Sequence, residues 1–220
     1  MQINAYIDHT LLKADATLSQ IEKLCHEARD NNFFSVCVNS SYVSKCKEFL
    51  QNSRVKVCAV VGFPLGAMDT ASKAFETKMA VQNGADEVDM VIHIGSLKDQ
   101  HLLYVREDIA AVVAAADGRK VKVIIETSLL NQEEKRWACQ AALEAKAHFV
   151  KTSTGFNGGG ATVDDVLLMK SVVGSHLEIK ASGGIKDLAT AQALIDAGAT
   201  RLGTSSGVLL VRGQTPAGGY

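Results

Sequence analysis

The sequence lacks the features that identify several classes of protein. Its 220 residues contain only two prolines, no CxxC pair among five cysteines, and neither HxH nor HExxH among six histidines. An odd number of cysteines without that spacing indicates reduced thiols rather than a disulfide framework. Without the histidine patterns we expect no metal centre, and nothing in the sequence calls for another cofactor.

Other absences limit the partners and the location. The formal net charge of −1 supplies no overall field that would attract nucleic acid or an anionic membrane. No apolar run approaches the length of a membrane span, and the segment Met1-Gln2-Ile3-Asn4 lacks the regions of a signal peptide. We therefore expect a cytoplasmic protein that binds neither nucleic acid nor membranes.

What the sequence does contain is a regular alternation of apolar strands and amphipathic helices. Thr17 or Asp15 is a plausible N-cap for the first helix, and Gly84 follows the third helix as a C-cap signal. A further short helix follows Ser205-Ser206-Gly207. The predicted strands are 5–10, 34–39, 55–61, 87–92, 121–125, 148–151, 177–180 and 201–204, and the predicted helices between them are 17–31, 42–51, 70–83, 102–115, 132–145, 163–172 and 188–196.

Strict alternation of strands and helices implies parallel strands, and eight such units in this length fit a closed barrel. No Pro-, Gly- or Ser-rich linker divides the chain, so we predict an α/β fold, a single (β/α)8 TIM barrel over residues 1–220. A doubly wound open sheet is the alternative. It is weakened because neither GxGxxG after the first strand nor a P-loop motif is present.

Alternation along each strand predicts which side chains face the barrel interior. The outer face packs on helices and should be apolar, so charged residues in the strands should point inward. This assigns seven residues to the interior: Glu87, Asp89, His93, Lys122, Glu126, Lys151 and Lys180. They converge toward the carboxyl ends of the strands, where barrel enzymes carry their catalytic groups.

Two of these inward residues, Lys151 and Lys180, lie on neighbouring strands about 4.8 Å apart. Two ammonium groups about 5 Å apart repel by about 3 kcal/mol, which corresponds to about two pKa units. A lysine whose pKa is lowered in this way can form a Schiff base with a carbonyl, and Asp89 could move a proton or position a water. The alternative is a structural ion network of the lysines with Asp89, Glu126 or Glu178.

Glycine and serine follow the last three strands. Backbone N–H groups in such turns and at helix N-termini bind phosphate, and barrels often use their last two loops for this purpose. Each turn alone could be an ordinary loop, but together they favour a phosphorylated substrate. The candidate phosphate-binding residues are Gly155, Gly183, Gly184, Ser205 and Ser206.

Two further residues are weaker candidates. Cys37 is predicted to point into the barrel, where it would either line the pocket or pack inertly. The chain ends in Tyr220, and a disordered terminus is the default interpretation. The alternative is a tail that folds over the barrel mouth and brings the phenol to the substrate.

Eight motifs in order along the chain closely resemble the deoxyribose-phosphate aldolase family, in its shorter bacterial and archaeal form. The resemblance covers nearly the whole chain, and the two lysine motifs together are highly specific. The motifs are Ile7-Asp8-His9-Thr10-Leu11-Leu12, Val36-Cys37-Val38-Asn39, Val61-Gly62-Phe63-Pro64-Leu65-Gly66, Gly84-Ala85-Asp86-Glu87-Val88-Asp89-Met90-Val91, Val123-Ile124-Ile125-Glu126-Thr127, Val150-Lys151-Thr152-Ser153-Thr154-Gly155-Phe156, Ile179-Lys180-Ala181-Ser182-Gly183-Gly184-Ile185 and Gly203-Thr204-Ser205-Ser206-Gly207.

The resemblance implies a metal-independent class I aldolase that reversibly cleaves 2-deoxy-D-ribose 5-phosphate to D-glyceraldehyde 3-phosphate and acetaldehyde, in deoxyribonucleoside catabolism. By family position, Lys151 is the Schiff-base nucleophile. Lys180 is implied to lower its pKa and to take part in proton transfer, and Asp89 to act as acid and base with water. Some longer members end in a tyrosine that reaches the site, and relatives are often homodimers.

The chain departs from the family pattern at several positions. His93 stands where asparagine is expected, Ala14 and Ser40 where proline is usual, and Asn157-Gly158 where the family has Ser or Gly followed by Thr. We expect His93 to affect the pH dependence while the reaction is retained. Two alternatives remain: another Schiff-base barrel aldolase, such as a transaldolase or a dihydroxyacetone-phosphate aldolase, and a non-catalytic sugar-phosphate-binding barrel.

Overall fold

Eight parallel strands close into a barrel in the computed structural model, which describes residues 3–214. Neighbouring strands in the chain pair with each other, and the first strand pairs with the last. The predicted (β/α)8 barrel is therefore confirmed, and the open doubly wound sheet is wrong. The strands are β1 (Ile7–Leu11), β2 (Ser35–Asn39), β3 (Lys56–Val61), β4 (Glu87–Val91), β5 (Lys120–Ile124), β6 (Phe149–Lys151), β7 (Glu178–Ser182) and β8 (Arg201–Thr204).

Every predicted helix is present, and one unpredicted helix, Ile94–Lys98, follows β4. Its five residues are too short for an apolar period to be recognised. None of the helices found in residues 3–214 combines the length and hydropathy needed to cross a bilayer. The helices are α1 (Leu18–Asp30), α2 (Val43–Phe49), α3 (Thr70–Gln82), α4 (Ile94–Lys98), α5 (Leu102–Ala115), α6 (Gln132–Glu144), α7 (Val163–Val173), α8 (Leu188–Asp196) and α9 (Gly207–Val211), with short 3₁₀ turns at Ile3–Tyr6, Ser40–Tyr42 and Thr127–Leu129.

The helix ends follow from local chemistry. Thr17 caps α1 by accepting a hydrogen bond from the backbone N–H of Gln20, whose side chain accepts in return from the N–H of Thr17. Such a capping box satisfies two N–H groups that the first helical turn leaves unpaired. Gly84 follows α3 with φ +104°, in the region that favours glycine, so this end of the helix is also as predicted.

The outer face of the barrel packs on the helices, and the inner face carries the charges. On β4, Val88 and Met90 are fully buried in the apolar layer beneath the helices, while Glu87 and Asp89 point inward. Lys151 of β6 pairs in register with Lys180 of β7, so their side chains share the interior. The inward assignment of Asp89, Lys151 and Lys180 is therefore confirmed, and the closed barrel brings together charges from distant parts of the chain.

Candidate active site

Lys151 lies at the carboxyl end of the short strand β6 and lines a cavity at the mouth of the barrel. Only 3% of its surface is exposed, and its Nζ donates a hydrogen bond to Oδ2 of Asp89 at 2.8 Å. The two preceding residues of the strand, Phe149 and Val150, are fully buried. A well-packed strand therefore holds one amine at the base of an accessible cavity, next to a carboxylate that can exchange a proton with it.

Lys180 lies on the next strand and is fully buried. Its Nζ donates to the same Oδ2 of Asp89 at 2.8 Å and also to Oδ2 of Asp8. Burial lowers the pKa of Lys180, but the attraction of Asp8 and Asp89 outweighs burial and raises this pKa above its usual value. Lys180 is therefore held as a cation beside Lys151.

One carboxylate bridges the two lysines and opposes the repulsion predicted from their spacing. Oδ2 of Asp89 accepts a hydrogen bond from each amine at 2.8 Å. Each ammonium group is therefore closer to this carboxylate than the spacing of about 4.8 Å between the two strands. Asp89 therefore lies between the two ammonium groups and offsets part of their repulsion.

A second layer of charges lies deeper in the barrel; the inward positions of Glu87 and Lys122 are as predicted, whereas Asp8 and Arg201 were not identified from the sequence. Lys122 contacts Asp89 Oδ1 and Glu87 Oε2, both at 2.7 Å. Arg201 contacts Asp8 at 2.8 Å and Glu87 at 3.1 Å. Asp8 and Arg201 occupy inward positions of β1 and β8, so the alternation rule could have identified them had it been applied to those two strands.

The network holds its carboxylates ionised. Burial raises the pKa of Asp89, but the positive charges of Lys122, Lys151 and Lys180 outweigh burial and bring this pKa well below its usual value. Asp8 responds in the same way to Lys180 and Arg201, and its pKa is also lowered. The structural ion network and the candidate active site are thus one set of residues, with Asp89 in contact with every lysine of the set.

Glu126 and Glu178, the other carboxylates considered as partners of the lysine pair, lie elsewhere. Glu126 accepts hydrogen bonds from the backbone N–H and hydroxyl of Thr154 and has no contact with either lysine in the described network. Glu178 is exposed and pairs with Lys120 at 3.0 Å. For these two residues, the interpretation as partners of the lysine pair is wrong, because Glu126 lies beyond the end of β5 and Glu178 lies at the exposed amino end of β7.

The donor atoms around Asp89 do not suit a cation. Cys37, Cys58 and Asp89 lie close enough to be considered as metal ligands. However, Cys58 donates its thiol hydrogen to Asp89 Oδ1 at 3.0 Å, and burial raises the pKa of the Cys58 thiol well above its usual value. The three lysines on the same carboxylate would repel a metal ion. The residues present therefore fit a proton-transfer network rather than a metal centre.

The cavity above Lys151 has a volume of about 350 Å³ and is bounded by the turns predicted to bind phosphate. Gly155, Gly183 and Gly184 have φ values of +84°, +86° and +75°, which side chains rarely adopt. Two lysines near the rim, Lys13 and Lys186, were not predicted from the sequence. The cavity is lined by Thr10, Leu11, Leu12, Lys13, Lys151, Thr154, Gly155, Phe156, Gly159, Ser182, Gly183, Gly184, Ile185, Lys186, Gly203, Thr204, Ser205 and Ser206.

Three candidates lie apart from this cavity or outside the described residues. Cys37 is fully buried in a small apolar cluster with Cys58 and is not among the described cavity-lining residues, which corresponds to the inert-packing alternative. His93 follows the end of β4, so strand alternation does not extend to it. Its Nδ1 accepts from the N–H of Ser96, capping α4. Tyr220 lies outside the described residues.

Two of the departures from the family pattern have structural partners. Ser40 donates its hydroxyl to Glu76 of α3 at 2.9 Å, and Glu76 also accepts from the N–H of Gly62. Asn157 donates to the buried Glu126 at 2.9 Å. Ala14 is exposed, and nothing around it explains its presence. The first two substitutions thus add polar contacts to loops at the barrel mouth.

A parallel (β/α)8 barrel with a buried amine and carboxylate below a cavity at the carboxyl ends of its strands has the architecture of barrel enzymes. The family model described as "DeoC/LacD family aldolase" matches residues 3–214. The chain therefore belongs to the DeoC/LacD family of aldolases and is a member of the lyase class.

Individual relatives agree with this assignment. A deoxyribose-phosphate aldolase of Bdellovibrio bacteriovorus is 71% identical over 220 residues, which cover 100% of both chains. One from Staphylococcus carnosus is 60% identical over 213 residues, 97% of each chain. Among solved structures, a putative deoxyribose-phosphate aldolase from Coccidioides immitis superposes with a TM-score of 0.94 at 44% identity, covering 96% of this chain and 85% of that one.

Proposed function

We propose that this barrel reversibly cleaves 2-deoxy-D-ribose 5-phosphate to D-glyceraldehyde 3-phosphate and acetaldehyde. The observation that carries the proposal is the Lys151 amine at the base of the cavity, 2.8 Å from Asp89 and below the glycine and serine turns. The relatives named as deoxyribose-phosphate aldolases, which match 100% and 97% of this chain, support this choice of substrate.

In the proposed mechanism, the neutral amine of Lys151 attacks C1 of the open-chain sugar, and loss of water gives an iminium ion. A base removes the proton from the C3 hydroxyl and the C2–C3 bond breaks. Its electron pair becomes part of an enamine on C2, and glyceraldehyde 3-phosphate leaves. Protonation of C2 and addition of water then release acetaldehyde and restore the amine.

The charges around Lys151 have distinct roles in this proposal. Asp89 contacts Nζ of Lys151 directly, so it is the group we assign to proton transfer, acting with water toward the sugar hydroxyl and C2. Lys180 shares that carboxylate and is held as a cation by Asp8 and Asp89, so we assign it to proton transfer together with Asp89. The backbone N–H groups around Gly155, Gly183, Gly184, Ser205 and Ser206 would bind the phosphate.

Trapping of the covalent intermediate tests the proposal. The protein is incubated with acetaldehyde, the iminium ion is reduced with borohydride, and peptide mass spectrometry locates the adduct. The expected site is Lys151; absence of an adduct there would overturn the mechanism. Parallel assays with 2-deoxyribose 5-phosphate and fructose 1,6-bisphosphate distinguish the proposed reaction from that of another Schiff-base barrel aldolase.

We also propose that residues 1–220 act as one domain, in the cytoplasm and as a homodimer. Exposed apolar side chains on α3 and α5, among them Phe75, Met79 and Leu103, support self-association. A solved relative from Aeropyrum pernix, 31% identical with a TM-score of 0.89, is described as a tetramer; it covers 96% of this chain and 89% of that one. Light scattering on the purified protein measures the assembly directly.

A further inference from the structure

A buried carboxylate outside the lysine network organises the loop that follows Lys151. Glu126 is fully buried and has left-handed backbone geometry with φ +55°. Its side chain accepts hydrogen bonds from the N–H of Thr154, the hydroxyl of Thr154 and the side-chain amide of Asn157. All three donors come from the β6–α7 loop, so a single carboxylate ties both ends of residues 154–157 to the end of β5.

The same loop continues into a run of glycines that packs against the neighbouring phosphate turn. The N–H of Ala161 donates to the carbonyl of Gly183 at 3.1 Å. A Cβ at Gly160 would lie only 2.5 Å from that carbonyl oxygen, and a Cβ at Gly159 would lie 2.2 Å from the Cβ of Ser128. The backbone of residues 159–160 therefore fits tightly between the β5–α6 loop and the Gly183 turn.

We propose that Glu126 and Asn157 are positioning residues that set the place of the Gly183 turn, and hence of the substrate phosphate, through the loop 154–161. This inference rests on the proposed function, because it assigns the Gly183 turn to the phosphate group. The amide of Asn157 donates to Glu126, which lies outside the lysine network, so this contact can be removed without changing the contacts of the lysines.

The geometry predicts an effect confined to phosphate. Loss of the amide contact frees the loop that supports Gly183 but leaves Lys151, Lys180 and Asp89 in their mutual contacts. A hydrogen bond to a charged group contributes enough free energy that its loss should raise the KM for 2-deoxyribose 5-phosphate about tenfold in Asn157→Ala. We expect kcat, and the KM for unphosphorylated 2-deoxyribose, to stay within about twofold.

Two further variants should raise the KM for the phosphorylated substrate by different routes. Asn157→Asp places a second carboxylate against Glu126, and the repulsion should raise the KM for the phosphorylated substrate more than Asn157→Ala does. Gly160→Ala pushes directly on the Gly183 carbonyl and should raise the same KM without touching Glu126. Asn83→Ala and Gly95→Ala, at exposed positions outside the loop, are the matched controls and should leave both KM values unchanged.

Equal changes in KM for both substrates, or an unchanged KM in Asn157→Ala, would overturn the inference. Thermal unfolding of each variant identifies any that fails to fold. If Gly160→Ala does not fold, the Asn157 variants still test the inference, because they change only a half-buried side chain. Should the wild type fail to cleave 2-deoxyribose 5-phosphate, titration with inorganic phosphate replaces the assay. Weaker phosphate binding in Asn157→Ala than in Asn83→Ala then supports the positioning role, and equal binding contradicts it.

Discussion

Two buried lysine environments in this protein have opposite characters. Lys151 and Lys180 lie inside the barrel among several carboxylates and below a cavity. Lys73 of α3 is also fully buried, but it lies outside the barrel between α3 and α5. There its Nζ contacts one carboxylate, Asp108, at 2.6 Å and the backbone carbonyl of Val91 at 3.0 Å.

The pKa directions differ between the two environments. Burial lowers the pKa of Lys73, and the single carboxylate of Asp108 only partly opposes it. Burial also lowers the pKa of Lys180, but two carboxylates outweigh it and the pKa is raised. A buried lysine is therefore not by itself a sign of catalysis. Access to a cavity and the number of neighbouring charges separate a candidate nucleophile from a structural ion pair.

The largest expected effect comes from removal of the Lys151 amine. Lys151→Met should lower kcat/KM by about 10⁴-fold or more, because the covalent intermediate can no longer form. Steady-state assays measure the loss, and borohydride trapping should give no adduct. The matched variant Lys73→Met should still form the adduct in its folded fraction; loss of the adduct there would contradict the separation of the two environments.

Asp89→Asn should have the next largest effect. Removing the carboxylate that contacts Lys122, Lys151 and Lys180 takes away the assigned proton-transfer group, so kcat should fall by about 10²- to 10⁴-fold. Pre-steady-state kinetics of adduct formation and of cleavage locate the slowed step. A kcat within twofold of the wild type would exclude Asp89 from proton transfer.

Lys73→Met should affect stability rather than chemistry. It leaves Asp108 buried without its partner, and breaking a buried ion pair in this way costs about 3–5 kcal/mol of the free energy of unfolding. Urea unfolding measures the change. The double variant Lys73→Met/Asp108→Leu should recover most of this free energy, since it leaves no unpaired charge. If it does not, the ion pair stabilises the fold by more than the mutual neutralisation of two buried charges.

The pH dependence of stability should reflect the barrel carboxylates. The folded-state pKa values of Asp8 and Asp89 are lowered, so their contribution is fully present above the unfolded value of about 3.9 and is lost as pH falls below it. We expect the free energy of unfolding to decrease by about 2 kcal/mol or more between about pH 6 and pH 3. In Asp89→Asn the same measurement should give a flatter curve; an equal slope would assign the acid sensitivity to other groups.

The smallest expected effect is at His93. Asn can cap α4 as His93 does, so His93→Asn should change the free energy of unfolding by less than about 1 kcal/mol. We expect the reaction to be retained and the pH–rate profile to change less than in Asp89→Asn. Identical profiles for the wild type and His93→Asn would remove His93 from any role in pH dependence.

Much of the fold was predictable because local rules apply to it. The strand–helix alternation, the capping box at Thr17 and the glycine after α3 depend on residues a few positions apart. Two predictions failed at the end of β4: the helix α4 was not predicted, and His93 was wrongly predicted to face the barrel interior. There the strand stops at Val91, and a side chain caps the next turn instead of continuing the alternation.

The site was predictable in part. Lys151, Lys180 and Asp89 stand out because they are charged residues at inward positions of apolar strands. Lys73 gave no such signal, since a lysine in an amphipathic helix is ordinarily exposed. The partners of Glu126 could not be predicted from β5, which precedes it, because they come from the loop that follows β6.

By itself, the sequence determined the repeating units, the inward direction of the lysines and the glycine turns that border the cavity, since each depends on local periodicity and backbone freedom. Only the tertiary structure decided that Asp89 contacts Lys122, Lys151 and Lys180, and that Asp8 reaches Lys180, 172 residues further along the chain. Closure of β1 onto β8 brings these charges into contact. Their distances, and so their Coulomb energies, exist only in the closed barrel.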